Sequence, residues 1–278
     1  MSITDESIRQ YVTIYKPYLY ILTPCYGSMC YVNYISCLLE TVKVFNNFGI
    51  EFKVEFCRND SLVSRARNNL VARAMTNEKT THIMFIDTDI TWSASDIIKL
   101  IMSNEMLIGG IYPLKNINWN KLNDVQKWKD KRDSQSIIKN LSDEQLIQHN
   151  VLQYNVNYNV NNNQVSIDKN LIDVRHLATG FMMIRRETIE CMQKAFPSTK
   201  YTDDVSCLEP HENKHAYALF DCGVVDDHYY SEDFLFCQRW INLGGKIKAD
   251  ITINLYHTGI YDFKGSLLVN LVTEQNIG

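Results

Sequence analysis

The apolar positions of this chain follow two rhythms that alternate from the first strand-like segment onward. Tyr18-Leu19-Tyr20-Ile21-Leu22-Thr23 and His82-Ile83-Met84-Phe85-Ile86 are short, nearly unbroken apolar runs, as expected of strands buried on both faces. Between them the spacing is helical: Ile35, Leu38, Leu39, Val42 and Phe45 lie within a stretch from about Asn33 to Phe48, and Leu62, Ala66, Leu70 and Ala74 form a second stripe. The punctuation agrees. Pro24, Gly27 and Ser28 stop the first strand, Gly49 stands just past the first helix, and Asp60 or Ser61 caps the second. A further strand spans Ile50 to Phe56, Ser95 and Asp96 open another helix, and Met106-Leu107-Ile108-Gly109-Gly110 is a short fourth strand. Strand and helix alternating over short connections predict an α/β fold, a mostly parallel sheet with helices on both faces.

The rhythm fails between residues 115 and 170. That stretch is polar, with charges from Lys127 to Asp133 and asparagines from Asn155 to Asn163. Tyr154 to Val160 alternates strictly and reads either as an exposed hairpin strand or as part of a low-complexity insertion, a mobile or acceptor-binding flap. Order resumes at Val174, with Ala178 to Ile184 as a strand and Arg186 to Phe196 as a helix. No internal repeat is present, so residues 1–278 read as a single domain carrying a polar insertion.

Composition narrows the function. Hydrophobic residues at 45% supply a sizeable core, and a net charge of −4 gives no basic field for nucleic acid. The polar, acidic start Met1-Ser2-Ile3-Thr4-Asp5-Glu6 lacks a signal-peptide layout, and no apolar run approaches the roughly 20 residues of a membrane span. A soluble, cytoplasmic protein is expected. The 8 cysteines include no C-x-x-C pair, which suggests reduced, non-catalytic thiols and no zinc site.

Four segments carry chemistry. Asp87-Thr88-Asp89 closes the third strand, where open α/β sheets place ligands. If the chain continued as a strand, both carboxylates would point one way and offer a divalent cation hard oxygen ligands. On the preceding helix, Ser64-Arg65-Ala66-Arg67-Asn68-Asn69 sets Arg65 and Asn68 one turn apart, on a face that is either solvated or turned to a nucleotide or the aspartate loop. Ser231-Glu232-Asp233 opens a later helix; acids there suit the helix dipole, and the same placement can hold a general base. His257-Thr258-Gly259, with Phe263-Lys264-Gly265 beyond it, offers a histidine to complete a metal site and a cation for phosphate.

In this order the segments resemble the motifs of the GT-A glycosyltransferases, and in particular the small stand-alone transferases of phages and large DNA viruses. The shared features are Thr23-Pro24, the Arg-Ala-Arg-Asn helix (Arg65 to Asn68), Asp87 and Asp89, Thr179-Gly180-Phe181, Glu232-Asp233, and His257 with Gly259 and Lys264. They run from about Pro17 to Gly265 and leave 115–170 unmatched. The resemblance implies a GT-A-type, Rossmann-like fold. It also implies hexosyl transfer from a nucleotide-diphosphate sugar, UDP-sugar first, to a hydroxyl on a glycan, protein or small-molecule acceptor. Mn²⁺ or Mg²⁺ would be the cofactor, held by Asp87, Asp89 and His257, with Asp87 also near the ribose. Thr23 and Tyr26 would lie against the base with Arg65 and Asn68 close by, and Lys264 on the diphosphate. Thr179, Gly180 and Glu232 would edge the acceptor, and Asp233 would take its proton. Glu-Asp belongs to the inverting pattern and His-x-Gly with lysine to the retaining one, so both outcomes stay open. The alternatives are a nucleotidyltransferase, which would usually show a glycine- and lysine-rich loop where Thr23 to Met29 has no basic residue, and a non-catalytic sugar-binding protein on the same fold.

Overall fold

The computed structural model describes residues 3–158 and 166–261. A helix with no counterpart in the apolar pattern, α1 (Asp5–Tyr15), starts from a capping box in which Thr4 and Ser7 satisfy each other's backbone. The alternating unit follows: β1 (Tyr18–Cys25), α2 (Val32–Phe48), β2 (Glu51–Arg58), α3 (Val63–Thr76) and β3 (His82–Ile86). Next come β4 (Ile90–Thr91), α4 (Ala94–Ser103), β5 (Leu107–Gly109), β6 (Pro113–Ile117), α5 (Val125–Ser134) and α6 (Asp143–Val151). Short strands β7 (Leu152–Tyr154), β8 (Asn157–Tyr158) and β9 (Ile167–Asp168) lead to β10 (Leu171–His176), β11 (Phe181–Arg185) and α7 (Arg186–Ala195). The last described elements are β12 (Gly223–Val225), β13 (His228–Tyr230), α8 (Glu232–Asn242), β14 (Lys248–Asp250) and β15 (Tyr256–His257).

The main sheet is ordered β2-β1-β3-β11-β5-β14-β10-β8. β2, β1 and β3 are mutually parallel, β11 lies antiparallel between β3 and β5, and β14 is parallel to β5. β2, β1, β3, β5 and β14 therefore run one way and β11 and β10 the other, in a Rossmann-like α/β sheet flanked by helices. Strand alternation divides the core in two. Tyr20, Leu22, Ile83, Phe85, Met182 and Ile184 pack against α3, α7 and α8, whereas Leu19, Ile21, Met84, Ile86, Phe181 and Met183 pack against α1, α2 and α4. Each such side chain, fully buried, contributes about 1.5–3 kcal/mol of transfer free energy.

Gly49 caps α2 at φ 72°, as its position predicts. The other two helix starts shift: α3 begins after Leu62, whose N–H donates to Asp60 Oδ1 at 3.0 Å, and α4 opens with a capping box of Ser93 and Asp96 rather than at Ser95. Pro24 does not stop β1. The strand pairs with β3 only from Leu19 to Leu22, so at Pro24, opposite Cys57 of β2 alone, the missing N–H leaves the β3 side without loss. The polar insertion is built of helices and hairpins. β6 pairs with β7, Ser142 and Gln145 cap α6, and Leu146 and Val151 anchor it, while α5 buries no residue. The alternating stretch from Tyr154 divides into β7 and β8, and Asn159 and Val160 fall outside the described residues. Among the described residues no helix is long and apolar enough to cross a membrane.

Candidate functional site

The strand that ends in Asp87 does not run on. The Ile90 N–H donates to the Asp87 carbonyl at 3.1 Å and closes a four-residue turn, which corrects the expectation that both aspartates point the same way. Asp87 keeps the alternation of Ile83 and Phe85 and enters the α3–α8 side, while the turn delivers Asp89 toward β15. Three backbone bonds fix this loop: Asp87 N–H to Gly180 O at 3.1 Å, Tyr31 N–H to Thr88 O at 3.2 Å, and Thr258 N–H to Asp89 O at 2.8 Å.

Arg67, from α3, meets Asp87. Its Nη2 lies 3.1 Å from Asp87 Oδ1 and its Nε 3.2 Å from Glu232 Oε1, at the first turn of α8. The guanidinium is 3% exposed, stands over the Phe85 ring, and has a buried Nη1 with no partner among the described residues. Burial opposes its charge, but Asp87 and Glu232 outweigh that and hold its pKa above the ordinary arginine value. Its neighbours point elsewhere. Arg65 turns outward to Asp60, with Nη2 to Oδ1 at 2.8 Å. Asn68 is buried and spends both polar ends on the backbone of one residue, Nδ2 donating to Phe220 O at 2.6 Å and Oδ1 accepting from Phe220 N at 2.9 Å. Arg67 was missed in the sequence although a signal existed: it lies between the stripe positions Ala66 and Leu70, where a charge needs a buried partner.

Asp89 has different company. Lys115 Nζ, from β6, lies 2.6 Å from Asp89 Oδ2, and His257 Nε2 lies 3.4 Å from the same oxygen. Burial pulls the Asp89 pKa upward, but hydrogen bonds from His257 and Lys115 prevail and hold it below the usual carboxylate value. His257 Nδ1 donates to Pro113 O at 2.9 Å, which fixes the ring and turns Nε2 toward Asp89. A ring nitrogen and a carboxylate oxygen facing each other in this way share a proton or a metal ion. One carboxylate and one imidazole are two ligands that a divalent cation could take, the carboxylate oxygen being the one that suits Mn²⁺ or Mg²⁺. Asp87, engaged by Arg67, does not join it, and no group of three such ligands stands together among the described residues.

Around these two acids the other expected residues take varied places. Gly180 abuts Tyr112: a Cβ there would come within 2.5 Å of the Tyr112 hydroxyl oxygen. Tyr112, whose ring meets the His257 ring edge-on, has its hydroxyl pKa pushed well up by burial and then by the Asp87 charge; Arg67 and Asp233 also act on it. Thr179 is buried beside it in sequence. Asp233 Oδ1 accepts from Ser231 Oγ and, at 2.9 Å, from Phe234 N. Thr23 is buried in a 2.6 Å bond with the Tyr34 hydroxyl, whereas Tyr26 at the end of β1 is 75% exposed. Lys264 falls outside the described residues. Two open concavities, of about 440 and 340 Å³, lie at the amino ends of β1 and β2, against Tyr18, Lys53 and Arg73 and against Gly49 and Glu51, away from both aspartates.

No protein-family model and no curated protein matches this chain. Among solved structures it is similar to A197 from STIV, at 11% identity and TM-score 0.44, over 88% of this chain and 86% of that one. It is also similar to the inositol-1-phosphate CTP transferase from T. maritima, at 9% identity and TM-score 0.39, over 93% and 96% of the two chains. A third similar structure is 4-diphosphocytidyl-2C-methyl-D-erythritol synthase from Anaerococcus prevotii DSM 20548, at 7% identity and TM-score 0.37, over 87% and 90%.

Proposed function

We propose that this chain is a metal-assisted glycosyltransferase that takes a sugar from a nucleotide-diphosphate donor, a UDP-sugar first, and gives it to a hydroxyl acceptor. The observation that carries this reading is the Asp89–His257 pair at the carboxyl end of β3, with the imidazole Nε2 turned to the carboxylate and Lys115 beside both. Asp89 and His257 would hold the ion, and Mn²⁺ or Mg²⁺, when bound, supplies positive charge to a departing diphosphate. Arg67 holds Asp87 and Glu232 in place at the floor of the site. Asp233, anchored through Oδ1, would receive the acceptor proton on its other oxygen, a contribution of about 10²–10⁴-fold in such reactions.

Calorimetry of UDP with the full chain, in Mn²⁺ and then in EDTA, tests the reading. Affinity is expected to fall at least roughly tenfold without metal, a loss of about 1.4 kcal/mol. Undiminished binding in EDTA would sink it. In the companion assay UDP should be released from a UDP-sugar, and Asp233→Asn should keep UDP affinity while losing most turnover. Pyrophosphate release from a nucleoside triphosphate and a sugar phosphate would assign the chain to nucleotidyl transfer.

A further inference from the structure

Lys115 belongs to none of the motifs, yet it is held on Asp89 from several directions. Its ammonium stands 2.6 Å from Asp89 Oδ2, the oxygen that also faces His257 Nε2. Its stem lies against the His-x-Gly segment so closely that a Cβ on Gly259 would come within 2.7 Å of Lys115 Cδ. Two residues back on the same strand, Pro113 O accepts the Nδ1–H of His257. β6 thus supplies both a cation for Asp89 and the clamp that orients the histidine. The lysine side chain remains 40% exposed, against 4% for Arg67 at the neighbouring acid, so it can leave its partner without opening the core.

We propose that Lys115 is a built-in counter-ion that yields Asp89 to the divalent metal and then takes the diphosphate of the donor. The inference rests on the metal-assisted reading above. Two cations cannot both sit at bonding distance from one carboxylate oxygen without strong mutual repulsion, so metal loading displaces the ammonium. Tethered by its packed stem, the displaced Nζ stays within a few ångströms of the metal, where the phosphate oxygens of a nucleoside diphosphate would lie. A flexible point charge suits that exchange better than a planar guanidinium would.

The test uses the full chain and two titrations: Mn²⁺ without nucleotide, followed by the electron paramagnetic resonance of the free ion, and UDP at saturating Mn²⁺. Lys115→Met keeps the aliphatic stem against Gly259, with Lys115→Gln as a second variant and thermal melts as the check on folding. Removing the charge should tighten Mn²⁺ binding by roughly tenfold, the scale of one ion pair at a partly buried carboxylate, while Lys115→Arg stays near the native value. The same neutral variants should bind UDP roughly tenfold more weakly. Unchanged or weaker Mn²⁺ binding in folded Lys115→Met overturns the competition, and tighter Mn²⁺ with undiminished UDP affinity overturns the diphosphate contact. No Mn²⁺ binding by the native chain, with or without UDP, overturns the metal reading and this inference together.

Discussion

Asp87 and Asp89 stand one threonine apart and are neutralised in opposite ways. Asp87, itself 31% exposed, meets Arg67, a residue 3% exposed that also holds Glu232 and lies over Phe85, on the α3–α8 side of the sheet. Asp89 meets Lys115, whose side chain is 40% exposed, and His257, both brought in by short strands outside the main sheet. The difference follows from solvation. A charge out of water is costly unless its partners are permanent, so the Arg67 cluster belongs to the folded structure. At Asp89 it is the cation that stays in water, so the pair is worth little and the lysine can be exchanged for a ligand. One acid's cation is therefore fixed and the other's replaceable.

The most severe way to break this comparison is to remove the buried cation. Arg67→Met should destabilise the chain by about 3–5 kcal/mol, because it leaves Asp87 and Glu232 facing each other without their shared partner. Urea unfolding measures it. A loss under about 1 kcal/mol would show that the two acids are not as different as their surroundings imply. Next in size, Asp89→Asn should weaken Mn²⁺ binding at least roughly tenfold with little change in melting temperature, whereas Asp87→Asn should cost stability first. Equal Mn²⁺ losses for the two variants would place both carboxylates on the ion. The smallest effect is acid sensitivity. The folded pKa of Asp89 is depressed, so its stabilisation is complete above the unfolded value of about 3.9 and fades as pH falls through the lower folded value. The stability difference between native chain and Lys115→Met, under about 1 kcal/mol at neutral pH, should therefore shrink as the pH is lowered below about 4. A difference that does not change on acidification would mean that Lys115 acts through packing.

Several site features were hidden from a one-dimensional reading for specific reasons. Arg65 and Arg67 are two residues apart on α3, so they differ in direction by about 200°, and only packing against β3 and α8 chooses which one faces inward. The β12–β13 hairpin that leads into α8 turns on Asp226 and Asp227, both left-handed at φ 50° and 64°, without the glycine that usually announces such a turn. Lys115 reaches Asp89 across 26 residues of sequence and His257 reaches Pro113 across 144, separations that no window of periodicity spans.

What the sequence determined by itself is the alternating unit from β1 to β3 and the arrival of two carboxylates at the end of a buried strand. Those features are local. Apolar spacing sets which backbone conformation buries the most surface, and Gly49 settles the end of α2 by satisfying nearby backbone groups. What only the tertiary structure decided is which cation each carboxylate keeps. A single turn after Ile86 sends Asp87 and Asp89 to different surroundings, and the energy of each ion pair depends on how much water its partners retain once distant segments have packed around it.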